Sequence, residues 1–263
     1  MAFPGDTVLR AGSSAETTGS VLKGNRLPRI AYLMRHIVNK QPMQRKAPEF
    51  SGILRKSIIK VPEAIGQASG IVILGKKIKS TLFTTDVAII RNHNADSILA
   101  VYPFTPQPII SQALINTADV PVFCGVGGGF TTGDRAVEIA IHAEHQGAIG
   151  VVLNKPTPNR LIEELKSKLD IPIMITVVSE NEDFRGRIAA GVDIFNVSGA
   201  QKTADIVRRI REISPDIPII ATGGREDKNI LDVIEAGANA ISWTPPATSE
   251  LFRVIMERYR AEM

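Results

Sequence analysis

The chain has 263 residues, of which 44% are hydrophobic and 22% charged, with a single cysteine and a formal net charge of +4. This composition is typical of a globular protein with a large core and excludes a disulfide-stabilised scaffold. No apolar run approaches the roughly 18 residues that span a bilayer, and the first residues lack the pattern of a secretory signal. We therefore expect a cytoplasmic protein that does not associate with membranes.

The charge is divided unevenly along the chain. Residues 1–69 contain 11 Lys or Arg and 4 Asp or Glu, which gives +7, whereas residues 70–263 contain 20 and 23, which gives −3. A basic arm of this kind could meet nucleic acid or an acidic partner. It has no run of five like charges and no nucleic-acid signature, so we expect it to pack on the acidic body or on a second copy in a homo-oligomer.

Residues 1–68 are predicted to form an N-terminal extension. The stretch 1–24 is rich in Gly, Ser and Thr and reads as irregular, and 25–40 has the apolar spacing of a helix. Residues 52–61 could form a hairpin or a plug beneath the following domain, and 62–68 a short helix.

Residues 69–263 alternate between apolar runs and helical patterns. The runs are nearly continuously apolar, as in strands that are buried on both faces of a parallel sheet. The first strand is either 71–74 or 78–83, and the others are predicted at 98–103, 121–126, 149–154, 172–178, 193–198, 217–222 and 239–243. Eight such strand–helix units predict a (β/α)8 barrel, with an open doubly wound sheet as the alternative.

Two short phrases recur along these units. Asp119, Asp170 and Asp216 each begin an Asp-x-Pro-x phrase. A second phrase, with Gly or Ala one or two residues before Asp or Asn, precedes other strands, as at Asp96, Asp193 and Asn239. Both phrases fall at predicted helix-to-strand turns, where glycine ends a helix and proline is tolerated at a strand's first residue. These turns lie on the structural face of a barrel, so the chemistry is expected at the opposite ends of the strands.

The predicted strand ends supply candidate site residues. Lys155 follows an apolar strand directly and is the catalytic candidate, because a partly desolvated lysine can form a Schiff base or act as an acid or base. Glu180 is the candidate catalytic carboxylate. Candidate substrate-binding residues are Asn154, Asn196, Thr222 and Arg225. The glycines at 125–129 match neither a dinucleotide fingerprint nor a P-loop, but they permit close approach of a ligand to the backbone.

A phosphate site is predicted at Gly223 and Gly224, because a Gly pair that heads a helix exposes backbone N–H groups to an anion. Ser198 and Gly199 offer a similar cradle, and Thr244 can add a hydroxyl. The segments PIIATGG (218–224) and IEAGANAI (234–241) resemble the closing half of the phosphate-binding (β/α)8 barrels. That superfamily includes tryptophan- and histidine-biosynthesis barrels, sugar-phosphate epimerases, thiazole synthase and FMN-dependent oxidoreductases.

The chain as a whole is also similar to a bacterial family of barrel proteins that are loosely labelled hydrolases. One departure from the superfamily concerns the end of the last strand, where Gly and Ser or Thr usually complete the phosphate cup. This chain has Thr244-Pro245-Pro246, and prolines donate no hydrogen bond. The resemblance therefore implies phosphate binding with half of the cup missing, and FMN is not expected.

The sequence favours an enzyme of lyase, aldolase or isomerase type that acts on a small phosphorylated metabolite with a carbonyl group. A hydrolase at the same site and a non-catalytic metabolite sensor that uses the basic arm are the alternatives. No cofactor is required, and a divalent metal ion remains compatible with the sequence. His142 and His145 lie one turn apart, but on a helix of the outer ring, and Cys124 is expected in the core.

Overall fold

The structure, a computed structural model, describes residues 58–261 and the single positions 48, 50 and 52. This part of the chain contains ten strands: β1 (Ile71–Ile73), β2 (Lys76–Ile78), β3 (Ser80–Phe83), β4 (Ser97–Ala100), β5 (Val122–Gly127), β6 (Gly150–Asn154), β7 (Ile173–Val177), β8 (Ile194–Val197), β9 (Ile219–Thr222) and β10 (Ala240–Trp243). The last eight are parallel and close into a barrel in the order β10-β3-β4-β5-β6-β7-β8-β9. The predicted (β/α)8 barrel is confirmed.

A helix follows each barrel strand. These helices are α1 (Val87–Ile90), α2 (Pro108–Thr117), α3 (Asp134–His145), α4 (Asn159–Lys166), α5 (Phe184–Ala189), α6 (Thr203–Ile213), α7 (Asp227–Glu235) and α8 (Thr248–Ala261), with short 3-10 helices at Glu63–Gln67 and Ala200–Lys202. The Asp86 carboxylate caps α1, since its Oδ1 accepts the N–H groups of Ala88 and Ile89. No helix in the described part of the chain is long and apolar enough to cross a membrane.

The first barrel strand is β3, which lies within the second of the two predicted ranges. The other range, 71–74, contains β1, which pairs antiparallel with β2 so that Ile71 lies opposite Ile78. This hairpin contributes Ile71, Ile73 and Ile78 to the apolar core inside the barrel. The predicted helix at 25–40 and the irregular stretch 1–24 lie outside the described residues, as do residues 53–57 of the predicted hairpin or plug.

The repeated phrases join the amino ends of neighbouring strands. Asp193 Oδ2 accepts the N–H of Ile173 at 2.9 Å, and Asn239 Oδ1 accepts the N–H of Ile219 at 2.9 Å. The carbonyl groups of the phrase prolines accept N–H groups from the preceding barrel strand, in the pairs Ile98–Pro121, Val151–Pro172 and Phe195–Pro218. The phrases therefore stabilise the strand register on the structural face.

The last helix differs from the other helices of the outer ring. None of the side chains of α8 is buried. Leu251 is half-buried, whereas Val254 and Ile255 are exposed together with Phe252 and Tyr259. Outward from the strands, the remaining helices pack their apolar faces on the barrel, so the carboxyl ends of the strands are held on a rigid scaffold.

Candidate active site

Two adjoining cavities open at the carboxyl ends of the barrel strands. The central cavity, of about 380 Å³, lies over the barrel axis, and the side cavity, of about 280 Å³, lies over the ends of β4, β5 and β6. They share the lining residues Val101, Tyr102, Pro103 and Asn154. A ligand of metabolite size can therefore extend from one into the other.

One wall of the central cavity is polar and uncharged. Its side chains come from the ends of β6 to β10 and from the loops that follow: Asn154, Thr176, Asn196, Ser198, Thr222, Ser242 and Thr244. Parallel register places Asn154 beside Thr176 and Thr176 beside Asn196. The Asn196 Nδ2 donates to Thr176 Oγ1 at 3.1 Å, which orients the buried amide. This wall offers hydroxyl and amide groups without a net charge.

The opposite wall is apolar and comes from the ends of β3, β4 and β5. Phe83, Leu99 and Val101 line the central cavity, and Phe104 and Phe130 line the side cavity. Phe104 and Phe130 are strongly exposed to solvent. The mouth of the barrel is thus amphipathic, with a polar half and an apolar half.

Lys155 lines the side cavity and is the charged residue of the mouth. Among the described residues that line the central and side cavities, it is the only one with a side chain that is charged at neutral pH. Its Nζ lies 2.8 Å from Oε2 of Glu182, and the Lys155 side chain is 43% exposed while that of Glu182 is 6% exposed. Lys155 therefore lines the side cavity while its ammonium group is held in position by the buried carboxylate of Glu182.

Glu182 is held in turn by Arg187, which lies on α5 and is itself buried. Its Nη2 and Nε donate to Glu182 Oε1 at 2.9 and 3.1 Å, and its Nη1 donates to Asn159 Oδ1 at 2.8 Å and to the carbonyl of Thr157. Burial raises the pKa of Glu182, but hydrogen bonds and positive charges from Lys155 and Arg187 outweigh it, and the pKa lies below its usual value. Glu182 is therefore ionised at neutral pH.

Glu180 was the carboxylate predicted from the sequence, whereas Glu182 and Arg187 were not predicted. Glu180 is exposed, and its Oε1 lies 3.1 Å from Nζ of Lys202, which is also exposed. It lines neither the central cavity nor the side cavity. One signal was present, because Arg187 lies three residues after Phe184 and so shares the inward face of a short helix, where an arginine needs a buried partner.

The predicted phosphate-binding residues are divided between two places. Ser198 and Thr244 line the central cavity, whereas Gly223 and Gly224 line a third cavity of about 310 Å³ between the loops after β8 and β9. Thr222 lines both cavities. Gly199 and Arg225 line none of the three.

Three of the four predicted backbone donors are already engaged. The N–H of Ser198 donates to the carbonyl of Val177, that of Gly199 to Thr203 Oγ1, and that of Gly223 to the carbonyl of Ser242. The N–H of Gly224 donates to no group among the described residues. Gly223 is required by packing, since a Cβ there would lie 2.8 Å from side-chain atoms of Ile230 and Ile241. The anion donors of this face are therefore chiefly hydroxyl groups.

The histidine pair and the cysteine do not belong to the mouth. His142 and His145 lie in the last turn of α3, in the outer ring. Cys124 is buried, and burial raises the pKa of its thiol to about 12. In the described part of the chain, no three side chains of His, Cys, Asp or Glu lie together as metal ligands.

The chain is similar to known proteins in its second half and in its fold. The model of the ribulose-phosphate 3-epimerase family matches residues 131–245, which is less than half of the chain. The segment runs from the loop after β5 to the loop after β10 and includes Lys155, Glu182 and the polar wall from β6 onward. Comparison with curated proteins gives no match.

Several solved structures share the fold. A phosphonopyruvate hydrolase in complex with oxalate and Mg²⁺ has a TM-score of 0.55 at 14% identity and covers 76% of this chain and 85% of its own. A protein provisionally described as a phosphonomutase from Burkholderia cenocepacia J2315 has a TM-score of 0.51 at 16% identity, with 69% and 90% covered. A mandelate oxidase mutant with an FMN adduct has a TM-score of 0.53 at 14% identity, with 67% and 68% covered.

Together, the family match and the closed barrel confirm the resemblance to the phosphate-binding (β/α)8 barrels. The structural likenesses, at these identities, show the fold alone.

Proposed function

We propose that the protein is an enzyme that acts on a small phosphorylated metabolite with a carbonyl group, by lyase, aldolase or isomerase chemistry. The observation that carries this proposal is the position of Lys155. Its ammonium group supplies the charge of the mouth and lies 2.8 Å from the buried carboxylate of Glu182. The family match over residues 131–245 supports a phosphorylated substrate.

The ion pair places the amino group of Lys155 at the mouth beside a fixed negative charge. Hydrogen bonds and positive charges hold the pKa of Glu182 below its usual value, so this carboxylate stays ionised at neutral pH as the counter-charge. An ammonium group beside a substrate carbonyl donates a hydrogen bond to the oxygen and stabilises negative charge that develops there. Enolate formation in isomerases, lyases and aldolases needs this stabilisation. A Schiff base needs the neutral amine and is less well supported.

The carboxylate role moves from Glu180 to Glu182 in this proposal. Glu180 is exposed and paired with Lys202, whereas Glu182 contacts Lys155 and is held by Arg187. Glu182 acts through Lys155 and is therefore a positioning residue.

The phosphate group is proposed to lie against the hydroxyls of Ser198, Thr222 and Thr244, with the free N–H of Gly224 beside them. Neutral donors bind a phosphate by hydrogen bonds, and the amino end of α7 adds a favourable dipole. Asn154 and Asn196 are placed to bind the polar part of the substrate between the phosphate and Lys155. Arg225 is exposed in the same loop as Gly224 and can meet the phosphate from outside.

A flavin is not part of this proposal. Ser198, Gly199 and Gly223 have their N–H groups engaged within the protein, so they do not form the amide cup that the flavin phosphate would need. Absence of yellow colour and of flavin absorbance in the purified protein is the expected result. Hydrolysis at the same site is not proposed as a second function, because no observation among the described residues specifically favours it.

Turnover of a panel of small phosphorylated aldehydes and ketones tests the proposal. We expect Lys155→Met to lower kcat/KM for the accepted compound by about a hundredfold, the scale of a lost electrostatic stabiliser. Lys168→Met is the matched control, because Lys168 makes a comparable 2.7 Å ion pair with Glu164 but lies outside the mouth. Turnover by Lys155→Met at the rate of the control contradicts the proposal.

A further inference from the structure

We infer that the substrate carries an apolar ring or a comparable branched apolar group in addition to its phosphate, and that Phe83, Phe104 and Phe130 receive this group. The inference rests on the proposed function and adds the chemical class of the rest of the substrate. The mouth is amphipathic, and a short, fully hydroxylated sugar phosphate has no apolar group that would contact its apolar half.

The three phenylalanines are exposed at the rim of the two cavities. The relative exposure is 39% for Phe83 and 74% for Phe104, and Phe130 is fully exposed. Aromatic side chains in contact with water are costly, and a cluster of them around a cavity marks a binding surface. Leu99 and Val101 continue this apolar surface down into the central cavity.

Hydrogen bonds close the two loops that carry Phe104 and Phe130. The loop of Phe104 is closed by the Gln107 N–H, which donates to the Tyr102 hydroxyl oxygen at 2.9 Å. The loop of Phe130 is closed by two backbone bonds between Gly128 and Thr131, at 2.9 and 3.4 Å. Both rings therefore project from closed turns, which lowers the entropy that a ligand must remove when it binds them.

The Phe130 loop also lies directly on the polar wall. Gly128 has a φ of +113°, and a Cβ there would lie 2.7–2.9 Å from atoms of Asn154. The backbone at Gly128 therefore lies too close to Asn154 to leave room for a side chain. Asn154 precedes Lys155 in the chain. The apolar group is thus received next to the ammonium group of Lys155, which the proposed function places at the carbonyl of the substrate.

A matched pair of probes tests the inference by calorimetric titration. Phenyl phosphate and glycerol 3-phosphate share the phosphate monoester and differ in the apolar ring. We expect phenyl phosphate to bind the wild-type protein about tenfold more tightly, the scale of one partly buried ring. Phe104→Ala/Phe130→Ala is expected to weaken phenyl phosphate about fivefold and glycerol 3-phosphate less than twofold. Phe252→Ala, which removes an exposed ring from α8, is the control and is expected to change neither affinity.

A second variant separates this inference from the proposed function. Thr222→Val/Thr244→Val removes two hydroxyls of the proposed phosphate subsite and is expected to weaken both probes equally. Equal affinities of the two probes for the wild-type protein overturn the inference about the apolar group. If the threonine variant still weakens the binding of both probes in that case, the phosphate subsite of the proposed function is upheld. Failure of both probes to bind overturns the inference together with that subsite.

Discussion

The ammonium group of Lys155 lies 2.8 Å from the carboxylate of Glu182, which is almost completely buried. The same carboxylate accepts two hydrogen bonds from Arg187, so one negative charge is shared between two cations. A buried carboxylate is stabilised only when it is paired and hydrogen-bonded, and removal of one partner leaves an uncompensated charge. Substitution of one partner is therefore expected to destabilise the protein. The exposed partner is Lys155, and its position at the mouth indicates a use in binding or catalysis.

Substitution Glu182→Gln is expected to lower kcat more than it raises KM. Lys155 loses the counter-charge that positions it, while the hydroxyls proposed to bind the phosphate remain. Steady-state kinetics checks this, because a merely structural role of Glu182 would not lower kcat more than it raises KM. Glu180→Gln is the matched control, and an equal effect of both substitutions contradicts the role of Glu182.

The ion pair also makes stability depend on pH. Since the pKa of Glu182 is lower in the folded protein than in the unfolded chain, its contribution is fully present above the unfolded value and is lost as the pH falls through the folded value. At neutral pH, Glu182→Gln is expected to lower the free energy of unfolding by about 3 kcal/mol, because Arg187 is left buried without its counter-charge. Urea denaturation at pH values between about 7 and 3 checks this.

The difference between the wild type and Glu182→Gln should shrink toward the acidic end of that range. A difference that stays constant would show that the carboxylate does not titrate as described. Glu212→Gln is the control for a lost carboxylate charge, because Arg209 and Glu212 form an exposed pair, and exposed pairs contribute little.

The glycine loop after β5 offers a direct comparison of two neighbouring positions. Gly128→Ala introduces a Cβ at a φ of +113° and within 2.9 Å of Asn154, so the loop must move away from the polar wall. Gly129→Ala also has a positive φ, +63°, but its Cβ meets no atom within 4 Å. We expect Gly128→Ala to reduce phenyl phosphate affinity about threefold more than Gly129→Ala does, which is within the loss expected when both rings are removed. Equal affinities of the two variants would contradict the close approach at Gly128.

Cys124 is expected to be inert in the folded protein. Burial raises the pKa of its thiol to about 12, and the residue lies on β5 with no exposed surface. The thiolate is the reactive form, so a colorimetric thiol reagent at pH 8 should label one thiol per chain in denaturant and essentially none without it. Rapid labelling of the native protein would place Cys124 outside the core.

The barrel could be predicted from the sequence because its strands are buried on both faces and its turns repeat. The predicted range 172–178 contains β7, and 193–198 contains β8, to within one or two residues at each end. The first strand was ambiguous because β1 and β3 are both short apolar runs, and only the antiparallel pairing of β1 with β2 distinguishes them.

The candidate site could be predicted only in part. The position of Lys155 followed from strand order alone, since the residue after a barrel strand lies at the mouth. Its partner did not, because Glu180 and Glu182 lie in the same loop and their environments depend on the burial of Arg187 on α5. The engagement of the Gly223 N–H by Ser242 depends on contact between two strands and has no local sequence signal.

The most direct test of the proposed function is a crystal structure of the protein soaked with dihydroxyacetone phosphate, a small phosphorylated ketone. The phosphate is expected against the hydroxyls of Thr222 and Thr244, with the carbonyl oxygen about 3 Å from Nζ of Lys155. An empty mouth at saturating ligand, or a carbonyl group that points away from Lys155, would contradict the proposed role of this lysine.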